Sequence, residues 1–115
     1  MNILLIVNES PWGGTLGLTA LRMALALEAE GQEIAGIFFR EDGVYHAAPG
    51  RAPDAGTPDM SAGWIGLSAR TGARLLLCSS AAQRRLESPP VGGFRESGLA
   101  EVLEIMSACD RMVTF

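Results

Sequence analysis

Short apolar runs alternate with stretches of helical spacing along this chain. Asn2 to Val7 is an apolar run without alternation, which is typical of a strand covered on both faces in a parallel sheet. From Thr15, a candidate N-cap, apolar residues recur every three or four positions until Gly31, and this spacing predicts a helix. Glu33 to Phe39 predicts a second buried strand. Residues 1–39 therefore predict a βαβ unit with a right-handed crossover.

The same alternation continues through the second half of the chain. Asp59 or Ser61 is a candidate cap for a helix that ends at Gly72, and Arg74 to Cys78 predicts a third strand. Ser80 to Gln83 matches the capping-box pattern, which predicts a helix that starts directly after this strand. Because strands and helices alternate in this way, the predicted fold class is α/β.

The last part of the chain predicts one more helix and one more strand. Ser97 is a candidate cap for this helix. Its predicted apolar face consists of Leu99, Val102, Leu103 and Met106. Asp110 to Phe115 predicts the closing strand. Earlier in the chain, Glu41 to Asp59 contains three prolines and predicts an unusually long loop, which is typical of a functional or interface segment or of one disordered in isolation.

The length and composition favour one folded domain that associates with other subunits. A chain of 115 residues has room for one core, so residues 1–115 are expected to form one domain. Hydrophobic residues make up 48% of the chain and charged residues 19%, which excludes a disordered protein and predicts apolar surface buried against other subunits. The net charge of -4 argues against a phosphate backbone as the main partner, so no direct nucleic-acid contact is expected.

The two cysteines, Cys78 and Cys109, are expected to stay reduced and apart. The chain shows no cationic leader and no apolar run of membrane-spanning length, so we expect a cytoplasmic protein without membrane attachment. Cys109 precedes the last strand, whereas Cys78 ends its own strand. Parallel strands separate these two ends of the sheet by roughly 17 to 20 Å, so no disulfide is expected, and Cys109 is expected to be structural.

Cys78 is the candidate for chemistry. Reactive groups collect at the carboxyl ends of strands in open α/β sheets, and the helix predicted after Cys78 would stabilise a thiolate through its dipole and its N-terminal amides. The other interpretation is a small buried hydrophobe at the end of an apolar strand, and the residues alone leave both open. His46 is the only histidine and lies in the long loop, so a zinc site or a Cys–His pair has little support.

Three further features are weaker candidates. The turn from Gly13 to Thr15 follows the first strand, where such folds bind phosphate, but it lacks a P-loop lysine and a GxGxxG spacing. Arg84 and Arg85 could steer an anionic partner toward Cys78, or they could simply be solvated. Four aromatic residues are candidates for subunit contacts, although core packing is the simpler explanation for Trp64. Those candidates are Trp12, Tyr45, Trp64 and Phe94.

Three segments carry a resemblance to a known family. Phe38 to Ala47 (FFREDGVYHA) is similar to that family's second strand and the turn after it. Leu76 to Arg85 (LLCSSAAQRR) is similar to the segment around its sulfur-carrying cysteine, and Ser97 to Phe115 is similar to its closing helix and strand. Together the segments resemble the DsrE/TusD family of sulfur-relay proteins over nearly the whole chain.

The resemblance implies a fold, an activity and partners. The implied fold is a flavodoxin-like, three-layer α/β/α domain with a mostly parallel central sheet. The implied activity is that of a sulfurtransferase, in which Cys78 accepts sulfane sulfur from a small carrier protein and passes it to the next, toward tRNA 2-thiouridine synthesis or in oxidative sulfur metabolism. The implied partners are DsrF/TusC-like and DsrH/TusB-like subunits in a heterohexamer, or further copies of this chain in a homo-oligomer. No cofactor is implied.

Two alternatives and one departure from the family pattern stay open at this point. The first alternative is a non-catalytic oligomeric subunit in which Cys78 is inert and the loops bind an anion or a partner peptide. The second is a flavin- or nucleotide-binding domain at the turn from Gly13 to Thr15. The departure is the stretch between Arg85 and Ser97, which is shorter than expected for the tRNA-linked members and leaves the pathway open.

Overall fold

The computed structural model describes residues 1–50 and 58–115, and within them the backbone forms a five-stranded sheet. The strands are β1 (Asn2–Val7), β2 (Glu33–Phe39), β3 (Arg74–Cys78), β4 (Phe94–Ser97) and β5 (Arg111–Thr114). The helices are α1 (Leu16–Ala29), α2 (Met60–Thr71), α3 (Ser79–Arg85) and α4 (Leu99–Ala108), with a 3-10 helix at Glu41–Ala47. No helix in these two ranges is long and apolar enough to cross a membrane.

The strands lie in the order β4-β3-β2-β1-β5, and every neighbouring pair is parallel. The predicted α/β class, with helices on both faces of a parallel sheet, is therefore confirmed. The order, which the sequence pattern left open, differs from the 2-1-3-4-5 order of flavodoxin itself, although the three layers are the same. Because all strands point the same way, their carboxyl ends form one edge of the sheet.

The two faces of the sheet are covered unequally. One face packs against α1, α2, α3 and the 3-10 helix in a core that contains Leu5, Phe39 and Trp64. On the other face, Leu4, Phe38 and Leu76 pack against Val102 and Ile105 of α4 alone. The helix α4 runs from the end of β4 to the start of β5, so it crosses the sheet between its two outer strands.

The predicted face of the last helix is partly wrong. Val102 and Ile105 turn toward the sheet, whereas Leu99 and Leu103 are 69% and 53% exposed. At about 100° per residue, the stripe that contains Leu99 and Leu103 lies to one side of the stripe that faces the sheet. Ser97 is also not the cap of this helix, because it is the last residue of β4 and Gly98 occupies the N-cap position.

The helix-capping predictions have mixed outcomes elsewhere. Asp59 caps α2 as predicted, since its Oδ1 accepts a hydrogen bond from the Ala62 amide at 3.1 Å. Gly72 ends the same helix in the left-handed conformation, with φ of 78°. Thr15 lies at the N-cap of α1, but its side chain makes no capping hydrogen bond. The sequence pattern thus located these helix ends but did not determine how each is capped.

The predicted long loop from Glu41 to Asp59 begins with ordered structure. Glu41 to Ala47 forms the 3-10 helix, and residues 51–57 of the predicted loop lie outside the described residues. Gly43 explains how this helix packs so closely on the sheet, because a Cβ atom at that position would collide with the Val7 carbonyl group. The 3-10 helix thereby lies against the carboxyl edge of the sheet, next to the strands that carry the site.

Candidate functional site

Cys78 is the last residue of β3 and also the N-cap residue of α3. It is partly exposed, and its Sγ lies 3.4 Å from the Ser80 hydroxyl oxygen. The apolar run of β3 places this residue at the carboxyl edge, and the helix that follows turns the chain immediately back over it. The structure therefore places Cys78 where the sequence predicts it, at an accessible strand end rather than within the core.

The electrostatics at Cys78 favour the thiolate. Partial burial raises the pKa of the thiol, but the Ser80 hydroxyl group, the Ala81 and Ser80 amides and the Arg40 guanidinium together lower this pKa below its ordinary value. A thiol with a lowered pKa in an accessible position is suited to nucleophilic sulfur chemistry.

The predicted capping box after Cys78 does not form. The N-cap residue is Cys78, two positions before Ser80, and Gln83 donates a hydrogen bond to Glu96 Oε1 at 3.3 Å. Ser79 donates to the Ser97 carbonyl oxygen at 3.0 Å, which ties the start of α3 to β4. The predicted helix start directly after the strand is confirmed, and Ser80 is left beside the sulfur of Cys78.

Arg84 and Arg85 have different environments. Arg85 Nε donates to Asp42 Oδ1 at 2.9 Å, and its Nη2 donates to Glu41 Oε2 at 3.2 Å. Arg85 therefore links α3 to the 3-10 helix and is not a free cation for a partner. Arg84 is exposed and makes no hydrogen bond or ion pair with the described residues.

His46 is a buried structural residue rather than a catalytic partner of Cys78. The Trp64 indole N–H donates to His46 Nδ1 at 3.0 Å, so the imidazole is neutral and its Nε2–H donates to the Glu9 carbonyl oxygen at 3.0 Å. Burial lowers the pKa of His46 to about 4. Both ring nitrogens are thus occupied, and His46 instead joins the turn after β1 to the 3-10 helix and α2.

Cys109 lies at the opposite end of the sheet, between α4 and β5. Its Sγ donates to the Met106 carbonyl oxygen at 3.4 Å and packs against the core beneath α4. Both cysteines are free, so the prediction that they do not form a disulfide is confirmed.

The turn from Gly13 to Thr15 offers little to an anion. It borders an open cleft of about 400 Å³ that includes Glu9 and no basic side chain among its lining residues. A carboxylate at the cleft opposes phosphate binding. The described residues of this turn therefore do not support the predicted alternative of a nucleotide site.

The aromatic candidates for subunit contacts separate into two groups. Trp64 and Phe94 are buried around Phe39, with ring centroids 5.3 and 5.4 Å from its ring, so the prediction for Phe94 is wrong and it belongs to the core. Trp12 and Tyr45 are partly exposed and pack on each other with centroids 5.5 Å apart.

Arg40 and Ser80 are the two residues near the thiol that the sequence interpretation missed as contributors. Ser80 was assigned to a capping box instead of to the sulfur. Arg40 immediately follows β2, and Cys78 is the last residue of β3. Because the carboxyl ends of parallel strands meet at one edge of the sheet, these positions in the sequence indicate that the two residues lie close together.

The fold and the site define a class of protein, namely a parallel α/β/α domain that presents a thiol of lowered pKa at the carboxyl edge of its sheet. The DsrE/DsrF-like family model matches residues 1–115, and the chain belongs to this family. The resemblance seen in its three segments is thereby confirmed.

Two individual proteins are similar to the chain over its whole length. It is 34% identical, over an alignment of 128 residues that covers all of both chains, to Sulfurtransferase TusD from Enterobacter sp. (strain 638). The crystal structure of the YchN protein from E. coli matches it with a TM-score of 0.86 at 21% identity and covers all of this chain and 99% of that one. The second similarity concerns the fold alone.

Proposed function

We propose that this chain, as one domain over residues 1–115, is a sulfur-relay sulfurtransferase subunit that carries sulfane sulfur as a persulfide on Cys78. The observation that carries this proposal is the partly exposed Cys78 thiol of lowered pKa at the carboxyl edge of the sheet. The similarity to Sulfurtransferase TusD supports sulfur as the transferred element. Cys109, by contrast, lies at the other end of the sheet, where its thiol donates a hydrogen bond to a backbone carbonyl group.

The proposed chemistry is thiol exchange in two steps. In the first, the Cys78 thiolate attacks the outer sulfur of a donor persulfide, a new S–S bond forms, and the donor leaves as a thiolate that keeps the electron pair of the broken bond. In the second, an acceptor thiolate attacks the outer sulfur on Cys78, and Cys78 leaves as a thiolate. No oxidant or reductant is consumed. A low pKa at Cys78 suits both steps, because Cys78 attacks as a thiolate and leaves as one.

Small sulfur-carrier proteins are the proposed donor and acceptor, and the chain is proposed to act within an oligomer. Three exposed apolar side chains, Leu99, Leu103 and Met112, support the oligomer, because they lie on the face of the sheet that α4 alone covers. The proposed subunits are DsrF/TusC-like and DsrH/TusB-like chains or further copies of this one. Light scattering of the purified chain, alone and mixed with such subunits, distinguishes the two assemblies. The two free cysteines support a reducing compartment, for which we propose the cytoplasm.

The proposed function is tested by intact-mass measurement after incubation with a cysteine desulfurase and a carrier protein loaded with persulfide. The wild-type chain and Cys109→Ser are expected to gain one sulfur atom that a reductant removes, whereas Cys78→Ser is expected to gain none. Cys109→Ser is the matched control, since it removes the other thiol of the chain.

Two results would contradict the proposal. A gain of one sulfur atom by Cys78→Ser would assign the carrier role to another residue. No gain by the wild-type chain, from a donor shown to be loaded and with the oligomer partners present, would favour the alternative of an inert subunit.

A further inference from the structure

Arg40 occupies the position next to Cys78 across the sheet. In the parallel pairing of β2 with β3, Phe38 lies opposite Leu76 and Phe39 opposite Leu77, so the next position brings Arg40 opposite Cys78. Side chains alternate along a strand, and both residues therefore project from the face that carries Phe38 and Leu76. Neighbouring strands lie about 4.8 Å apart, a distance that an arginine side chain spans easily.

The backbone holds Arg40 firmly in this position. Its amide donates to the Val7 carbonyl oxygen at 2.9 Å, which extends the pairing of β2 with β1 beyond the last strand residue. Its dihedral angles, φ of -120° and ψ of 165°, are those of an extended strand. Directly after it, Glu41 adopts a positive φ of 48°, and this turns the chain sharply into the 3-10 helix. Arg40 thus remains in the strand while the following residues leave the sheet.

The charge of Arg40 is not neutralised by a carboxylate among the described residues. Other arginines of the chain form ion pairs, namely Arg70, Arg74, Arg85 and Arg95. The carboxylates nearest to Arg40 along the chain, Glu41 and Asp42, are both engaged by Arg85. The Arg40 side chain is exposed and makes no hydrogen bond or ion pair with residues 1–50 or 58–115, so its guanidinium is available to the sulfur.

The other charged groups around Cys78 have hydrogen-bond or ion-pair partners of their own. On β4, Glu96 accepts a hydrogen bond from Gln83, and on α4, Glu101 is paired with Arg95 and Arg74. On α3, Arg85 is paired with the 3-10 helix. The Arg40 guanidinium is a charged group that lowers the pKa of the Cys78 thiol.

We propose that Arg40 is a positioning residue that pairs with the Cys78 thiolate and then with the outer sulfur of the persulfide formed on it. This inference rests on the proposed function and identifies the anion that the site stabilises. In the first transfer step, the negative charge of the Cys78 thiolate leaves with the donor thiolate. The new persulfide on Cys78 then releases its S–H proton to water, which places a negative charge on the outer sulfur, one S–S bond further out. The long, flexible side chain of arginine can follow this displacement, so one guanidinium serves both anions.

The inference is tested by the pH dependence of Cys78 alkylation in a Cys109→Ser background. Iodoacetamide reacts with the thiolate, so the midpoint of the rate against pH reports the pKa of Cys78. Arg40→Gln is expected to raise this midpoint by about half a unit to one unit and to slow alkylation at neutral pH by about three- to tenfold. Arg40→Lys, which keeps the charge, is expected to restore most of the rate.

Arg84→Gln is the matched control, because Arg84 is an exposed arginine without an ion-pair partner among the described residues, and it lies on α3. It is expected to leave the midpoint unchanged. Arg40→Gln is also expected to slow sulfur acceptance from the loaded carrier by a similar factor, with the thermal unfolding midpoint unchanged because the side chain is exposed.

Specific results would overturn the inference. A wild-type alkylation profile in Arg40→Gln, or an equal shift in Arg84→Gln, would exclude a role for Arg40 at the sulfur. Either result would leave the proposed function intact as long as Cys78→Ser loses sulfur acceptance. If Cys78→Ser still accepts sulfur, the proposed function itself fails, so the two failures are distinguishable.

Discussion

The two edges of the parallel sheet each carry one cysteine, and the groups that contact the two thiols differ. At the carboxyl edge, Cys78 faces a hydroxyl group, two backbone amides and a guanidinium, all of which favour a negative charge. At the amino edge, the Cys109 thiol donates a hydrogen bond to the Met106 carbonyl oxygen at 3.4 Å. The comparison teaches that strand direction, rather than residue type, decides which of the two cysteines meets groups that stabilise a thiolate.

The edges also differ in how their loops are held. At the carboxyl edge, the buried His46 joins three segments through hydrogen bonds to Glu9 and Trp64. At the amino edge, the Met1 ammonium group donates an exposed hydrogen bond to Gln32 Oε1 at 2.8 Å. A buried, hydrogen-bonded histidine thus ties the loops together at the edge that carries Cys78, which suits a site whose groups must stay aligned.

The largest expected effect is the loss of stability when the buried histidine is removed. His46→Ala leaves the Trp64 N–H without its acceptor and opens a cavity, so we expect a loss of about 3 kcal/mol in the free energy of unfolding. The control Gln32→Ala removes the exposed link at the amino edge and is expected to change stability by less than about 0.5 kcal/mol. Urea unfolding measures both. Equal losses of stability in the two variants would refute this difference between the two edges of the sheet.

The same histidine makes stability depend on pH. Burial lowers the pKa of His46 from 6.5 to about 4, so between these pH values the unfolded chain binds a proton that the folded chain does not. Stability is therefore complete above the unfolded pKa and falls by about 3 kcal/mol as the pH drops through this window. Urea unfolding of wild type and His46→Ala at several pH values isolates this contribution, since the carboxylates are common to both. If the stabilities of wild type and His46→Ala change equally with pH, this contribution of His46 is contradicted.

Much of the fold follows from the sequence because its inner strands are buried on both faces. The runs at Asn2–Val7, Glu33–Phe39 and Arg74–Cys78 became strands with the predicted bounds. The edge strand Phe94–Ser97 was missed, because only Phe94 and Ser97 are buried and the two residues between them are exposed, so no apolar run marks it. Strands at the edge of a sheet, and elements buried on one face only, have a weaker hydrophobic pattern in the sequence.

The site was predictable only in part. Cys78 follows from strand polarity, but the role of Arg40 depends on the register between β2 and β3, which no local pattern encodes. His46 was assigned to a loop because its partners, Glu9 and Trp64, are 37 and 18 residues away in sequence. Contacts between distant segments therefore account for what the pattern missed.

A smaller effect is expected in the relative reactivity of the two cysteines. At neutral pH, limiting iodoacetamide should label Cys78 about tenfold faster than Cys109, because the lowered pKa of Cys78 gives it a larger thiolate fraction. Peptide mapping by mass spectrometry gives both rates in one sample of the folded wild-type chain. Preferential labelling of Cys109 would reverse the assignment of the reactive edge.

The smallest effect is expected when the hydroxyl group at the sulfur is removed. Ser80→Ala deletes the group that lies 3.4 Å from Cys78 Sγ, so the pKa of the thiol should rise and alkylation at neutral pH should slow about threefold, as expected for one hydrogen bond. Ser107→Ala is the control near Cys109, since its hydroxyl group donates to the Glu104 carbonyl oxygen instead. Unchanged labelling of Cys78 in Ser80→Ala would mean that the amides and Arg40 alone hold the thiolate. Slower labelling of Cys78 in Ser107→Ala would mean that the effect is not specific to the hydroxyl group at the sulfur.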